Sequence, residues 1–222
     1  MRNTIDNPTE DKILAPNIRF RDGFSSLEKN LRPVTKQLGV SAQKSKKALQ
    51  LAYQMQEKFK HEIQQIGKDV LTTIETQKQN AVVIVGRPYN VYDAGLNLNV
   101  PLKLWEDYGI NVIPMDFLPL ENISVREVHD NMFWGYGRRI LQAAKFVGQS
   151  KNLHVIYFTN FKCGPDSYIK HFVRKAVNSA SLILQFDDHS NDAGIMTRCE
   201  AYLESKDLLR SQTSPVTEMV ED

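Results

Sequence analysis

The second half of the sequence alternates short apolar runs with helical stretches, and this alternation limits the fold more than any other feature. The runs are rich in β-branched and aromatic residues without polar alternation, which is typical of strands covered on both faces. The pattern therefore predicts a parallel sheet with helices on both sides. We predict strands at residues 81–85, 111–115, 154–159 and 182–186, and helices at residues 98–108, 125–147, 167–178 and 192–205.

Right-handed crossovers leave few ways to connect such strands. We favour a flavodoxin-like order, with the second strand at one edge, followed by the first, third and fourth. Ser124 and Glu127 have the spacing of a capping box, which predicts that the second of these helices begins there. The predicted fold class is α/β: a flavodoxin-like or Rossmann-like sheet of about four parallel strands, with a long N-terminal helical extension.

The N-terminal extension is dominated by one amphipathic pattern. From residue 42 to about residue 77, apolar residues recur at steps of three and four, which predicts a long helix packed along a domain flank or, alternatively, a coiled-coil seam. Gly67 is expected to bend or weaken it. Before it, we expect a short strand or extended arm at residues 18–23, and a helix from residue 25 to about residue 38, interrupted by Pro33. The predicted division is a flexible N-terminus (1–16), a helical extension (17–79), an α/β domain (80–205) and a flexible tail (206–222).

The turn after the third predicted strand has the sequence FKCGPD, at residues 161–166. Pro165 suits the first helical position, and Gly164 near the N-cap lets the backbone turn sharply. Cys163 is then left just outside the helix start, facing unpaired N–H groups and the positive end of the helix dipole. A thiol placed there is biased towards thiolate, the form that binds metal or attacks an electrophile. The alternative is a small residue that fills a tight turn.

Doubly wound sheets bind ligands at the carboxyl ends of their strands, where the strand order reverses. In the favoured order that position lies between the first and third strands, so the loop GRPYN at residues 86–90 and the FKCGPD turn should share one crevice. We expect Arg87, Tyr89 and Gly164 to line it, with Arg87 holding an anion and Tyr89 donating a hydrogen bond. The alternative for the first loop is an ordinary strand exit.

The loop after the fourth strand carries Asp187, Asp188, His189 and Asp192, which could serve as hard-metal ligands or acid–base groups. A solvated turn followed by an N-cap at Asn191 or Asp192 explains the same residues. Other chemistries are disfavoured by the sequence. There is no P-loop motif, and the only other cysteine, Cys199, is not at C-x-x-C spacing and is expected in the core.

Composition restricts the possible partners and compartments. The net charge of +2 over 222 residues is too small to argue for nucleic acid or a charged membrane surface. Two cysteines make no disulfide framework, and no stretch is apolar enough to span a bilayer. We therefore expect a cytoplasmic protein that binds neither nucleic acid nor membrane.

Several short motifs occur in one order and, taken together, resemble a known family. They are VGRPYN (85–90), FWG (133–135), RILQAA (139–144), NL (152–153), FKCGPD (161–166), DDH (187–189) and DAG (192–194), preceded by FRDG (20–23) and the long helix.

This series is similar to the C-terminal segment of large proteins related to the activator of 2-hydroxyacyl-CoA dehydratase, which is akin to 2-hydroxyglutaryl-CoA dehydratase and benzoyl-CoA reductase subunits. The resemblance implies iron–sulfur chemistry, with cysteines from two α/β lobes holding a cluster at their interface. Only Cys163 matches a cysteine of the family pattern, and a [4Fe–4S] cluster needs about four such ligands. The family often has Gly at the position of Lys162.

Three hypotheses follow. In the first, the chain is a stand-alone C-terminal lobe of a CoA-thioester dehydratase- or reductase-type complex. Cys163 is then one ligand of a [4Fe–4S] cluster, and a second protein chain or a missing domain supplies the other cysteines. In the second, the chain is a non-catalytic scaffold or interaction module that has lost the cluster. In the third, it is a thiol enzyme with Cys163 as nucleophile and His189 as a possible base.

Overall fold

The computed structural model describes residues 13–209. Most of the predicted flexible N-terminus and C-terminal tail therefore lies outside the described residues. Within this range the chain forms four strands and seven α-helices. The strands are β1 (Ala81–Gly86), β2 (Asn111–Pro114), β3 (Leu153–Asn160) and β4 (Leu182–Phe186). The helices are α1 (Phe24–Gln37), α2 (Ala42–Thr76), α3 (Pro88–Tyr92), α4 (Val100–Glu106), α5 (Gly135–Gly148), α6 (Gly164–Val177) and α7 (Asp192–Ser205).

The four strands form one parallel sheet in the order β2-β1-β3-β4, which confirms the predicted flavodoxin-like order. Strand β1 is central, and Val83 pairs with Ile113 on one side and with Val155 on the other. All six residues of β1 are buried, as expected for a strand covered on both faces. The sheet thus brings the carboxyl ends of β1 and β3 next to each other.

Two apolar cores cover the two faces of the sheet. Residues of β1 and β3 that point to one face pack with α5, α6 and the C-terminal part of α2, as Val83, Tyr157 and Ile140 illustrate. Residues that point to the other face pack with α3, α4 and α7, as Ile84 and Leu203 illustrate. Burial of this apolar surface is the main stabilising term for the α/β fold.

The contacts of the chain divide it into two compact units, with the boundary between His61 and Glu62, inside α2. In the first unit, Phe20–Asp22 is a turn of 3-10 helix, so the short strand expected there is wrong. Helix α1 continues through Pro33 rather than being interrupted by it. The ring of Phe24 packs edge-on against Tyr53, with 6.0 Å between the ring centroids. The division at residues 16, 79 and 205 stays a prediction.

The predicted helix at residues 125–147 is wrong over its first ten residues, because α5 begins only at Gly135. The capping box is therefore wrong as well: Ser124 accepts a hydrogen bond from the Arg126 amide at 3.4 Å, and Glu127 pairs with Lys145. Val125, Val128 and Met132 are buried from a segment of turns, so their helix-like spacing reflects burial without helix formation.

Two further elements differ from the prediction. The short helix α3, within the expected GRPYN loop, was not predicted, and α4 begins two residues late. The delay follows from Leu98 and Asn99, which both adopt positive φ and cannot belong to a right-handed helix. In contrast, α2 runs through Gly67 without a break, because that glycine is a site of close packing: a Cβ there would overlap the carbonyl oxygen of Phe117.

Candidate functional site

Cys163 is the N-cap residue of α6, at the carboxyl end of β3. Its amide donates to the Asn160 carbonyl at 3.2 Å, and its own carbonyl accepts from the Ser167 amide at 2.9 Å. Gly164 and Pro165 are the first two helical residues, so α6 begins three residues before the predicted residue 167, and Pro165 takes the second helical position instead of the first. The Cys163 side chain is half-buried, and a Cβ on Gly164 would meet no atom within 4 Å. The start of α6 is therefore open beside the thiol.

An ion pair joins the first loop of the predicted crevice to the second. The Arg87 Nε donates to Asp166 Oδ1 at 2.9 Å, and Thr159 Oγ1 donates to the other carboxylate oxygen at 3.0 Å. Asp166 is 1% exposed and lies in the first turn of α6, whereas Arg87 is the N-cap of α3. Burial alone would lower the pKa of Arg87, but the hydrogen bond and charge of Asp166 raise it above its usual value.

Tyr89 lies beside the Cys163 sulfur. Burial raises the pKa of the Tyr89 phenol first, and the nearby Cys163 and Asp166 raise it further. Tyr89 is nevertheless 45% exposed, so its ring forms part of the open surface next to the thiol. The structure thus brings Arg87, Tyr89, Cys163 and Gly164 together at one end of the sheet, while their roles as anion, cofactor or metal ligands stay predictions.

Two buried polar side chains near these loops were not singled out from the sequence. The Tyr157 hydroxyl has no hydrogen-bond partner among the described residues, and burial followed by the neighbouring Asp166 raises its pKa. Both side-chain polar atoms of Asn90 are likewise buried and unpartnered within residues 13–209. Asn90 is the last residue of the VGRPYN motif, so the sequence could have indicated it as a functional residue. Tyr157 is in the middle of an apolar run, and nothing in the sequence distinguishes it from a core residue.

A second polar network lies at the carboxyl end of β2, and it too was missed. Asp116 accepts from the Tyr92 hydroxyl at 3.0 Å, the Tyr136 hydroxyl at 3.1 Å and Arg139 at 2.9 Å. Burial first and then the Asp116 carboxylate raise the pKa of both phenols, so both remain hydrogen-bond donors. Because Tyr92 belongs to α3, this network fixes the same helix that carries Tyr89.

Aromatic side chains flank the start of α6. We call Phe133, Trp134 and Tyr168 the aromatic rim. The centroid of Trp134 is 4.8 Å from that of Phe133 and 6.0 Å from that of Tyr168. These side chains remain 36–71% exposed. The hydroxyl of Tyr168 is 2.8 Å from His129 Nε2, which fixes the ring.

The loop after β4 has the geometry of a solvated turn. The Asp187 amide donates to Ser190 Oγ at 2.7 Å, and the His189 amide donates to Asp187 Oδ1 at 2.9 Å. Asn191 is the N-cap of α7 and accepts from the Gly194 amide at 3.4 Å. Within the described residues no hydrogen bond joins His189 to Cys163, and no group of three or more His, Cys, Asp or Glu side chains is placed to hold a metal ion.

The sequence matches a known family. A sequence profile described as the CoA enzyme activase uncharacterised domain (DUF2229) matches residues 1–118. The chain belongs to this family. The matched region of this CoA enzyme activase domain includes Arg87 and Tyr89 and ends before Cys163. No curated protein and no solved structure matches the sequence.

The match confirms the family resemblance seen in the motifs. None of the helices described between residues 13 and 209 is both long and apolar enough to cross a bilayer.

Proposed function

We propose that this CoA enzyme activase-related chain is one lobe of a dehydratase-type complex, in which Cys163 supplies one thiolate to an iron–sulfur cluster shared with a second polypeptide. The observation that carries the proposal is the position of Cys163. Its side chain is half-buried at the start of α6, where the backbone of Gly164 is open. The unpaired N–H groups of a helix start favour an anionic ligand such as a thiolate.

The residues of this chain do not fit a complete cluster by themselves. A [4Fe–4S] cluster needs about four thiolate ligands, and the second cysteine, Cys199, is fully buried among the residues of α7 and β4. Burial raises the pKa of the Cys199 thiol to about 12. The missing ligands would therefore come from a partner chain, and when bound the cluster would supply electron transfer.

The neighbouring residues would position the thiolate. The Arg87–Asp166 ion pair joins the loop after β1 to the first turn of α6, so that Tyr89 and Cys163 are presented side by side. The aromatic rim, which includes Tyr168 of α6, and Phe161 at 50% exposure offer exposed apolar surface on the same part of the chain. Tyr, Trp and Phe are enriched in protein interfaces, so this surface suits contact with the partner lobe.

The scaffold function is a second candidate, and Lys162 favours it. The Lys162 ammonium is directly before the cysteine and lies 5.2 Å from the centroid of the Phe161 ring. Its bulk and charge occupy a position where the resembling family often has glycine. A chain that has lost the cluster would tolerate such a change, because nothing then needs to approach the thiol closely.

Anaerobic production distinguishes these candidates. The chain is produced together with a candidate partner that carries several cysteines, and iron, sulfide and the reaction of Cys163 with iodoacetamide are measured. The lobe function predicts bound iron and sulfide in the complex and a Cys163 that is protected from alkylation. Colourless, iron-free complex supports the scaffold, and turnover by the isolated chain together with rapid alkylation of Cys163 supports a thiol enzyme.

A further inference from the structure

A cavity of about 410 Å³ lies against the edge strand of the sheet. Strand β4 is the last strand in the order, and Leu182, Ile183 and Gln185 of this strand line the cavity. Helix α6 forms one wall, and Arg198 of α7 closes the other. The volume is in the range of small-molecule sites in proteins.

The walls of this cavity are strongly cationic. Lys170, His171, Arg174 and Arg198 line it, and no acidic residue of the described chain does so. Within residues 13–209, none of Lys170, His171 and Arg174 forms an ion pair. Arg198 donates one guanidinium N–H to the Ile183 carbonyl at 2.6 Å, which fixes its side chain at the strand edge. Unpaired cations grouped around a concave site attract anions.

Polar donors complete the site. Ser181 Oγ is buried without a hydrogen-bond partner among the described residues, and it lines the same cavity as Ser167 and Asn160. A buried hydroxyl group without a hydrogen-bond partner destabilises the fold, and a bound ligand that supplies the hydrogen bond removes this penalty. The cavity therefore combines positive charge with a donor that has no partner.

We propose that this cavity binds the diphosphate group of a small phosphorylated ligand. Lys170 and Arg174 are one helical turn apart on α6, a spacing that lets them contact neighbouring phosphoryl groups of one ligand. An arginine guanidinium can bind phosphate oxygens through two parallel hydrogen bonds. Ile183 packs on the α6 face of the sheet and gives the cavity an apolar patch for an organic moiety attached to the diphosphate. The inference is independent of the cluster proposed above.

Calorimetric titration of the full chain at low ionic strength tests this inference, with inorganic diphosphate and ADP as the probes. Arg174→Gln should weaken the binding of diphosphate by about tenfold or more, because it removes a charge-assisted contact. Lys170→Gln should weaken it in the same direction. The matched control is Lys175→Gln, which removes the same charge from the same helix outside this cavity and should change the affinity by less than about twofold. Thermal unfolding confirms that each variant is folded.

The two probes separate the sources of the diphosphate. Tighter binding of ADP than of diphosphate supports an organic ligand that also contacts Ile183, and equal binding supports free inorganic diphosphate. The proposal is overturned if neither probe binds at millimolar concentration, or if Lys175→Gln weakens binding as much as Arg174→Gln. Binding of single-stranded RNA without binding of either probe would also overturn it.

Discussion

At the scale of single residues, Lys162 shows how the backbone restricts the position before the candidate ligand. Its φ is +56°, in the left-handed region that glycine adopts without a steric penalty. This conformation explains why glycine is suited to the position and why lysine there is strained. The Lys162 side chain is exposed, so the strain arises from the backbone conformation and not from side-chain packing.

Substitutions at residue 162 should therefore change stability in opposite directions. Lys162→Gly should raise the free energy of unfolding by up to about 1 kcal/mol, and Lys162→Val should lower it by about 1 kcal/mol, because a β-branched residue is disfavoured at positive φ. Urea unfolding measures both changes. Equal stability of the two variants would show that the turn does not impose this conformation.

His154 predicts a pH dependence of stability. Burial first, and then the charge of Lys206, lower the pKa of His154 from 6.5 to about 4 in the folded chain. Folding therefore favours the neutral ring: its contribution to the free energy of unfolding is complete above pH 6.5 and is lost as the pH falls towards 4. We expect this loss to be about 1–2 kcal/mol, given partial solvent screening.

The measurement is urea unfolding at several pH values between 4 and 7, for the wild type and His154→Gln. The difference in unfolding free energy between the two proteins should grow in favour of the wild type as the pH rises through this window. A difference that is constant with pH would contradict the account.

The sequence indicated the Arg87, Tyr89 and Cys163 neighbourhood because motifs after two strands must meet at one sheet edge. It did not indicate that Asp166 would form an ion pair with the Arg87 guanidinium. The two residues are 79 positions apart in the sequence, so their contact depends on tertiary packing. Nor did it indicate the Tyr157 hydroxyl, which is surrounded by apolar neighbours in the sequence.

At the scale of elements, periodicity placed some helices closely and misplaced others of the same length. The residues assigned to α2 and α7 agree with the structure to within one residue. The start of α5 was misplaced because Val125, Val128 and Met132 are buried at helical spacing from a turn segment. In a short segment, buried residues of a turn can show the same three- and four-residue spacing of apolar side chains as a helix.

The two glycines of α2 and α7 should respond oppositely to alanine. Gly67→Ala should lower the free energy of unfolding by about 1–3 kcal/mol, because its Cβ would overlap the Phe117 carbonyl. Gly194→Ala should raise it by about 0.5–1 kcal/mol, since alanine favours the helix and a Cβ there has open space. Thermal or urea unfolding measures both, and a stabilised Gly67→Ala variant would contradict the described packing.

At the scale of the whole molecule, alternating elements and the handedness of crossovers were enough to predict the sheet order. The order β2-β1-β3-β4 in turn places the loops after β1 and β3 side by side. What the sequence alone could not predict is the cationic cavity beside β4, because Arg198 reaches it from α7 and Lys170 from α6 only in the folded chain. Composition, with its net charge of +2, conceals this local charge.

The central claim is that Cys163 of this chain holds iron together with a partner. The most direct test is the iron content of the anaerobically purified complex, compared between the wild type, Cys163→Ser and Cys199→Ala. We predict that Cys163→Ser loses most of the iron while Cys199→Ala, which removes the buried cysteine, retains it. Iron retained undiminished in Cys163→Ser would contradict the account.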